Sequence, residues 1–323
     1  MKAIVIDRYG TPDVLRLEEV DRPVPGEGQV LVRVRASSVN PYDWHFLTGL
    51  PKLFRPVFGL RRPKYRILGA DLAGQVEAAG PGVTRFVPGD EVYGLAAAGA
   101  FAEYAAVAEA ALAPRPAGLT CEQAAAVPLA GGTALQAIRD RGRVGPGQKV
   151  MVNGAAGGVG TFAVQIAKAD GAEVTGVCST ANTGLVRSIG ADHVIDYTRD
   201  DFAAGARRYD LLLDNVGNRS LADCRRVLEP KGRYLASFGQ PEHQWSGPIW
   251  SLARMALLSP FVSQKLGTFT AQPRTEDLHT LGGLIEAGSL RPVIDRAYPL
   301  AEVAAAFRYL EQGHARGKVV ITV

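Results

Sequence analysis

Cysteine is scarce in this chain. Only Cys121, Cys178 and Cys224 occur in 323 residues, an odd number without a CxxC spacing. That excludes a disulfide framework and a structural zinc lobe, and it fits an intracellular protein with free thiols. Long apolar runs are missing too: no stretch reaches the roughly eighteen residues that a membrane-spanning helix needs. Met1-Lys2 leads at once into a strand-like run, so no secretory signal is read and a cytoplasmic location is expected. Charge of one sign is not in large excess either. A formal +4 suits an anionic cofactor and is too weak to argue for nucleic acid. No internal repeat or low-complexity tract is found.

What is present is the composition of a packed protein, 47% hydrophobic and 21% charged, at a length that suits two domains. Up to about residue 118 the pattern predicts short strands over 3–6, 30–36, 73–79, 91–94 and 101–107. Proline and glycine turns separate them, which suggests a barrel-like β domain. The pattern changes at Thr120, an N-cap with Gln123 at the capping-box position. Strands are then expected over 149–153, 173–178, 193–196, 211–214 and 234–238. Helices over 162–169, 182–189 and 220–228 fall between them. Such alternation is the signature of a parallel, doubly wound sheet. Beyond Gln240 come an apolar stretch over 248–262, a strand over 266–270, helices over 275–287 and 303–312, and a closing strand over 318–323.

The most informative stretch is 150–160, Val-Met-Val-Asn-Gly-Ala-Ala-Gly-Gly-Val-Gly. It fits GxGxxG with Ala155, Gly157 and Gly160 in the three glycine positions. A strand turns tightly into a helix there, a Cβ at Gly157 would block a pyrophosphate, and Gly160 lets helix and sheet pack. The helix beginning near Val159, after Gly157 and Gly158, aims free N–H groups at phosphates. A second strand about twenty residues on completes the context of a dinucleotide site. Where an NAD site usually carries Asp or Glu, the second strand ends in Cys178-Ser179-Thr180. Two hydroxyls without a carboxylate favour the 2′-phosphate of NADPH over NADH; the alternative is a simple polar turn. The nearest cation is Arg187, on the next helix.

At this point the chain resembles the zinc-independent medium-chain dehydrogenase/reductases of the quinone-oxidoreductase type. The likeness runs through 36–43 (Ala-Ser-Ser-Val-Asn-Pro-Tyr-Asp), 68–74 and 86–94 with its Pro-Gly-Asp-Glu-Val-Tyr-Gly. It continues through 155–160, 190–197 (Gly-Ala-Asp-His-Val-Ile-Asp-Tyr), 214–217 (Asp-Asn-Val-Gly) and 317–320 (Gly-Lys-Val-Val). The resemblance implies a Rossmann doubly wound parallel sheet inserted into a GroES-like β-barrel domain formed by both chain ends. Its expected parts are 1–118 for the first piece, 119–262 for the Rossmann domain and 263–323 for the return. It also implies a homodimer without stable membrane insertion. The zinc-dependent relatives place ligands at positions that here are Asn40, Ala70 and the neighbourhood of Ala130, so no zinc is expected.

The same resemblance assigns site residues. Asn40 is carried over as a contact near nicotinamide or substrate, with an Asx-turn before Pro41 as the alternative. His45 is the first candidate for proton donor or substrate hydrogen bond, and the alternative is a histidine without a chemical role. Tyr42 is the second candidate, or else a packed aromatic. Asp43 orients the loop. Thr133 matches a cofactor contact, and Tyr197 a tyrosine against the 2′-phosphate. Asn215, Val216 and Gly217 pass the nicotinamide ribose, Phe238 and Gly239 flank the nicotinamide, and Lys318 either reaches back to the cofactor or is a surface lysine.

Two features stand outside the motifs. Arg55, Arg61, Arg62, Lys64 and Arg66 form a basic loop with interspersed aromatics. It reads as a solvated rim or as an attractor of an anionic cofactor or membrane surface. The apolar stretch 248–262 reads as a buried helix, a pocket wall, or a membrane or partner contact. The leading expectation is NADPH-dependent reduction of quinones or enones. Zinc-free alcohol oxidation and a non-catalytic NADPH-binding sensor are the alternatives.

Overall fold

The computed structural model describes residues 1–237 and 249–323, and the chain divides into two compact units. The first unit comprises Met1–Gly132, Pro273–Gly288 and Pro292–Val323; the second comprises Thr133–Gln272 and Ser289–Arg291.

The first unit centres on the strand Gln29–Val39, whose alternating Val30, Val32 and Val34 are buried in one apolar cluster with Leu72, Val76 and Val92. One edge of this strand pairs along its length with Asp71–Ala79. The other edge is shared by Tyr104–Ala108 and the closing strand Lys318–Thr322. Register shifts between Leu31 and Val32 and between Val34 and Ala36 bend the pair. Beyond the bend Val39 joins a second cluster with Ile4, Phe46, Leu47, Phe101, Phe307 and Ile321. Where the sequence offered only a turn, Asn40 starts the helix Pro41–Thr48. Pro41 sits in its first turn, the Asp43 carboxylate accepts from the Asn40 N–H at 2.9 Å, and Gly49 ends it at φ 64°.

The second unit is a six-stranded, all-parallel sheet. Its order is His193–Asp196, Glu173–Cys178, Lys149–Asn153, Tyr209–Asp214, Leu228–Ala236 and Lys265–Thr268. Numbered along the chain this is 3-2-1-4-5-6, the doubly wound dinucleotide-binding order. Its direction reverses between the strands ending at Asn153 and Asp214. Ligands of such sheets bind beyond the carboxyl ends of those two strands. The helix Gly158–Ala169 covers the sheet, burying Phe162, Val164, Ile166 and Ala167.

Two expected boundaries move. The first unit runs through Gly132 instead of 118, because the helix Cys121–Ala125 packs on Gln29–Val39 and Asp71–Ala79. The return begins at Pro273 instead of 263, because Lys265–Thr268 pairs in parallel with Leu228–Ala236 as a sixth strand. Residues 289–291 also belong to the sheet unit. Both polar atoms of the Gln165 side chain bond the Arg291 backbone, at 2.9 and 3.0 Å. The apolar stretch 248–262 contains the helix Ile249–Leu258, with Met255 buried but Leu257 and Phe261 exposed. None of the described helices is long and apolar enough to cross a membrane.

Candidate functional site

In the sheet unit, the turn after Asn153 is set by backbone contacts. Gly154 and Ala155 both donate to the Val177 carbonyl, at 3.2 and 3.0 Å, and Gly157 donates to Gly154 at 3.1 Å. Gly154 has φ 78°, a region that side chains disfavour. The three positions of the motif then separate by physical role. Ala155 is fully buried under the sheet's first turn. A Cβ on Gly160 would overlap the Gly154 carbonyl and stand 2.8 Å from the Ala155 Cα, so packing alone forbids a side chain there. At Gly157 a Cβ would meet nothing closer than 3.4 Å, so the fold has room for one. Gly157 is the N-cap of the helix, and Gly157, Gly158 and Val159 are half-exposed. The first amides of a helix have no intrahelical acceptor, so this open turn is suited to a phosphate.

At the end of Tyr209–Asp214 the wholly buried Asp214 builds the next turn. Its Oδ1 accepts from the N–H groups of Val216 and Gly217 at 3.1 and 2.9 Å and from the Asn153 amide at 2.9 Å. Its Oδ2 accepts from the Tyr234 hydroxyl at 2.9 Å. Burial and the Asp214 charge push the Tyr234 hydroxyl far above its usual range. Asn215 donates its N–H and its side-chain amide to the Asn153 carbonyl, both at 3.2 Å. Its buried Oδ1 has no hydrogen-bond partner among the described residues. A buried acceptor left unpaired costs about 1–3 kcal/mol, and a ligand hydroxyl would supply the missing donor.

The second strand's end departs from the sequence reading. Parallel pairing sets Asp196 beside Cys178, and the Thr180 hydroxyl donates to the Asp196 carboxylate at 2.5 Å. A carboxylate thus stands near this strand end after all. The reason is register between strands, which the local sequence does not show. Hydrogen bonds from Thr180 hold Asp196 below the usual carboxylate range, helped by Thr198 and by Arg199 at 3.7 Å. Cys178 is buried and its thiol pushed up to about 11 by that burial, and its carbonyl accepts from the Tyr197 N–H at 3.0 Å. Ser179 is half-buried with the Asn182 amide at 3.2 Å, and Tyr197 is exposed. Arg187 is close enough to Cys178 to favour its thiolate electrostatically. Thr133 lies on the helix Pro128–Leu135, as the first residue of the sheet unit. Phe238 and Gly239 lie outside the described residues.

In the other unit the sequence candidates converge on a buried ion cluster. Asp71, wholly buried, accepts from the Ser38 hydroxyl at 2.5 Å, the Asn40 amide at 2.9 Å, the Leu129 N–H at 2.8 Å and the Lys318 ammonium at 3.2 Å. Lys318 is also buried and donates to the Asn40 Oδ1. It is therefore not a surface lysine, and Asn40 has both ends of its amide bonded inside the protein. Asp43 accepts from Asn40 and, at 3.2 Å, from the Gly69 N–H. Burial, then the Asp71 charge, push its carboxyl up to about 7. Asp71 and Ser38 escaped the sequence reading. The signal for Asp71 was an acid standing alone among apolar neighbours in Ile67–Ala73.

His45 and Tyr42 share the helix next to this cluster. His45 Nδ1 lies 2.7 Å from the Leu50 carbonyl, an acceptor only, so Nδ1 carries a proton. The ring stacks on Phe58 at 5.9 Å and 5°. Tyr42 donates to the Ala97 carbonyl at 3.1 Å, and burial pushes its hydroxyl up to about 12.

These geometries give two expectations. Gly160→Ala should lose about 3 kcal/mol by overpacking, whereas Gly157→Ala should stay within about 1 kcal/mol of the parent in denaturant titration. Equal losses would contradict the division of roles. In the ion cluster, Asp43 has a folded pKa above its unfolded value of 3.8. Its contribution is complete below that value and is lost as pH rises through about 7. Lys318→Met leaves the carboxylates without their cation and should cost about 3–5 kcal/mol near pH 8. Near pH 5 Asp43 is already protonated and fewer negative charges lose their cation, so the deficit should shrink; equal deficits at both pH values would refute the ionic cluster.

Comparison with known proteins agrees with both units. Residues 26–117 match the alcohol dehydrogenase GroES-like domain family, and residues 189–321 match the zinc-binding dehydrogenase family. The mouse mitochondrial NAD(P)H oxidoreductase RTN4IP1 is 32% identical over 100% of this chain and 89% of its own length. The Arabidopsis thaliana chloroplastic NADPH-dependent alkenal/one oxidoreductase is 34% identical over 99% of this chain and 79% of its own. The crystal structure of Escherichia coli quinone oxidoreductase complexed with NADPH superposes with a TM-score of 0.86 at 26% identity, covering 100% of both chains. With its parallel Rossmann sheet and GroES-like unit, this chain belongs to the medium-chain dehydrogenase/reductases, among the quinone-oxidoreductase-like proteins.

Proposed function

We propose that the protein reduces quinones or conjugated enones with NADPH, by hydride transfer and without zinc. The observation that carries this reading is the open helix turn at Gly157, at the reversal point of the sheet and with the orphaned Asn215 Oδ1 at the neighbouring strand end.

The residues fit the dinucleotide. The amides of Gly158, Val159 and Gly160 donate to its diphosphate, and Asn215 Oδ1 accepts from a ribose hydroxyl beside Val216 and Gly217. Ser179, Tyr197, Arg187 and Arg199 bind the 2′-phosphate. Asp196, which would repel it, is already bonded to Thr180 and Thr198 and paired with Arg199. Thr133, Phe238 and Gly239 serve the nicotinamide end through the family resemblance. When bound, the cofactor supplies a hydride.

Hydride addition to a quinone or enone sends an electron pair onto the substrate oxygen, and a hydrogen-bond donor stabilises that charge. His45 is the donor in this reading; Tyr42, the second candidate, acts only by giving up its bond to the Ala97 carbonyl. Lys318 and Asn40 are positioning residues, since their polar atoms are used inside the cluster. Zinc does not fit the donor set: the Asn40 oxygen already takes an ammonium, and Ala70 has nothing to offer a metal. Homodimerisation comes from the family resemblance. Three free thiols support a reducing compartment, and we assign the cytoplasm.

The test is NADPH oxidation with a quinone panel and an enone panel, a chelator being present throughout. Turnover on at least one class, faster with NADPH than NADH, is expected. His45→Phe should lower kcat about a hundredfold while changing the KM for NADPH little. Silence on both panels sinks the reductase reading, and an unchanged kcat removes His45 from it.

A further inference from the structure

The segment from Leu50 to Arg66 has features that the reductase reading does not use. Between Asp43 and Asp71 the sequence contains no Asp or Glu, yet it carries Lys52, Arg55, Arg61, Arg62, Lys64 and Arg66. Among these cations stand three aliphatic side chains pointing outward: Leu53 and Val57, each 60% exposed, and Leu60, 71% exposed.

The segment is firmly attached by its other side. Phe58 and Tyr65 lie 5.1 and 5.2 Å from the Phe46 ring, on the core. The Tyr9 hydroxyl donates to the Gly59 carbonyl at 2.5 Å. The Arg55 guanidinium sits 4.9 Å over the Tyr9 ring and donates to the Gly49 carbonyl at 3.3 Å. Arg66 is paired with Asp7 and Glu18. Arg61 and Arg62 are exposed, and the salt bridges among the described residues do not include them. A braced platform therefore presents aliphatic tips and cations together, with no acid of its own to neutralise them.

We infer that this face docks the protein on an anionic lipid bilayer. Its occupant is apolar beneath and negatively charged above, because Leu53, Val57 and Leu60 are exposed beside Arg61 and Arg62, which no salt bridge among the described residues engages. A bilayer bearing anionic headgroups has that layering everywhere and requires no matching pocket. A second copy of the chain would set like charges against each other on this face. A nucleic-acid backbone would leave Leu53, Val57 and Leu60 in water. Docking is peripheral, and it does not depend on the redox activity.

The test uses the full-length protein with vesicles of phosphatidylcholine alone and of phosphatidylcholine mixed with phosphatidylserine. Co-sedimentation with the mixed vesicles only is expected. Each cation near such a surface contributes about a fivefold gain in affinity, so the triple variant Arg61→Gln/Arg62→Gln/Lys64→Gln should bind roughly a hundredfold more weakly. Leu53→Ser/Leu60→Ser should also bind more weakly and release completely in high salt, where the parent retains a residue of binding. All substituted side chains are exposed, so unchanged melting curves are expected to accompany these losses. Absence of binding to the mixed vesicles overturns the inference. So does a triple variant that keeps its vesicle affinity but takes up NADPH more slowly, since the loop would then steer the cofactor instead. Pelleting without vesicles, the sign of self-association, also overturns it.

Discussion

The closest constraint in the sheet unit is the absence of a side chain on Gly160. Because nothing projects from it, the first turn of Gly158–Ala169 can rest on the Gly154 carbonyl and the Ala155 backbone. That contact sets the helix axis against the sheet, and the axis aims the unpaired amides of the first turn past Gly157. Gly157 itself has room for a Cβ, so its lack of one is not explained by packing in the chain. The same motif thus contains one glycine required by the fold and one whose missing side chain packing does not require. A sequence pattern cannot separate these two roles; distances to a hypothetical Cβ can.

Local chemistry was legible in the sequence and long-range pairing was not. The capping box of Thr120 and Gln123 forms as read, with the Gln123 N–H donating to the Thr120 hydroxyl at 3.3 Å and the Thr120 N–H to the Gln123 side chain at 3.0 Å. The strands Lys149–Asn153, Glu173–Cys178 and His193–Asp196 fall where β-rich runs between turns placed them. What escaped depended on partners far along the chain. Asp196 reaches Thr180 only because two strands pair in parallel with one register. Lys318 meets Asn40 and Asp71 only because the closing strand lies antiparallel to Gln29–Val39, placing Val319 opposite Val39. No periodicity in 318–323 announces a buried ammonium, and a lysine near a terminus reads as solvated by default.

The ion cluster explains why several expected contact residues turn inward. Two buried carboxylates, Asp43 and Asp71, face one buried ammonium. Such a group is tolerable only when nearly every lone pair and proton is used, and here Ser38, Asn40, Gly69 and Leu129 supply the remaining bonds. The arrangement ties the start of Pro41–Thr48 to two strands. It thereby fixes the helix that carries Tyr42 and His45, which gives these side chains a defined platform although neither belongs to the cluster.

The central claim is that the open turn at Gly157 receives the diphosphate of a nicotinamide dinucleotide. Calorimetric titration of the purified protein with NADPH tests it most directly, set beside the same titration of folded Gly157→Ala. One molecule of NADPH bound per chain, with affinity at least about tenfold weaker in the variant, is the predicted result. Absence of binding in the parent, or identical affinity in the two proteins, would contradict it.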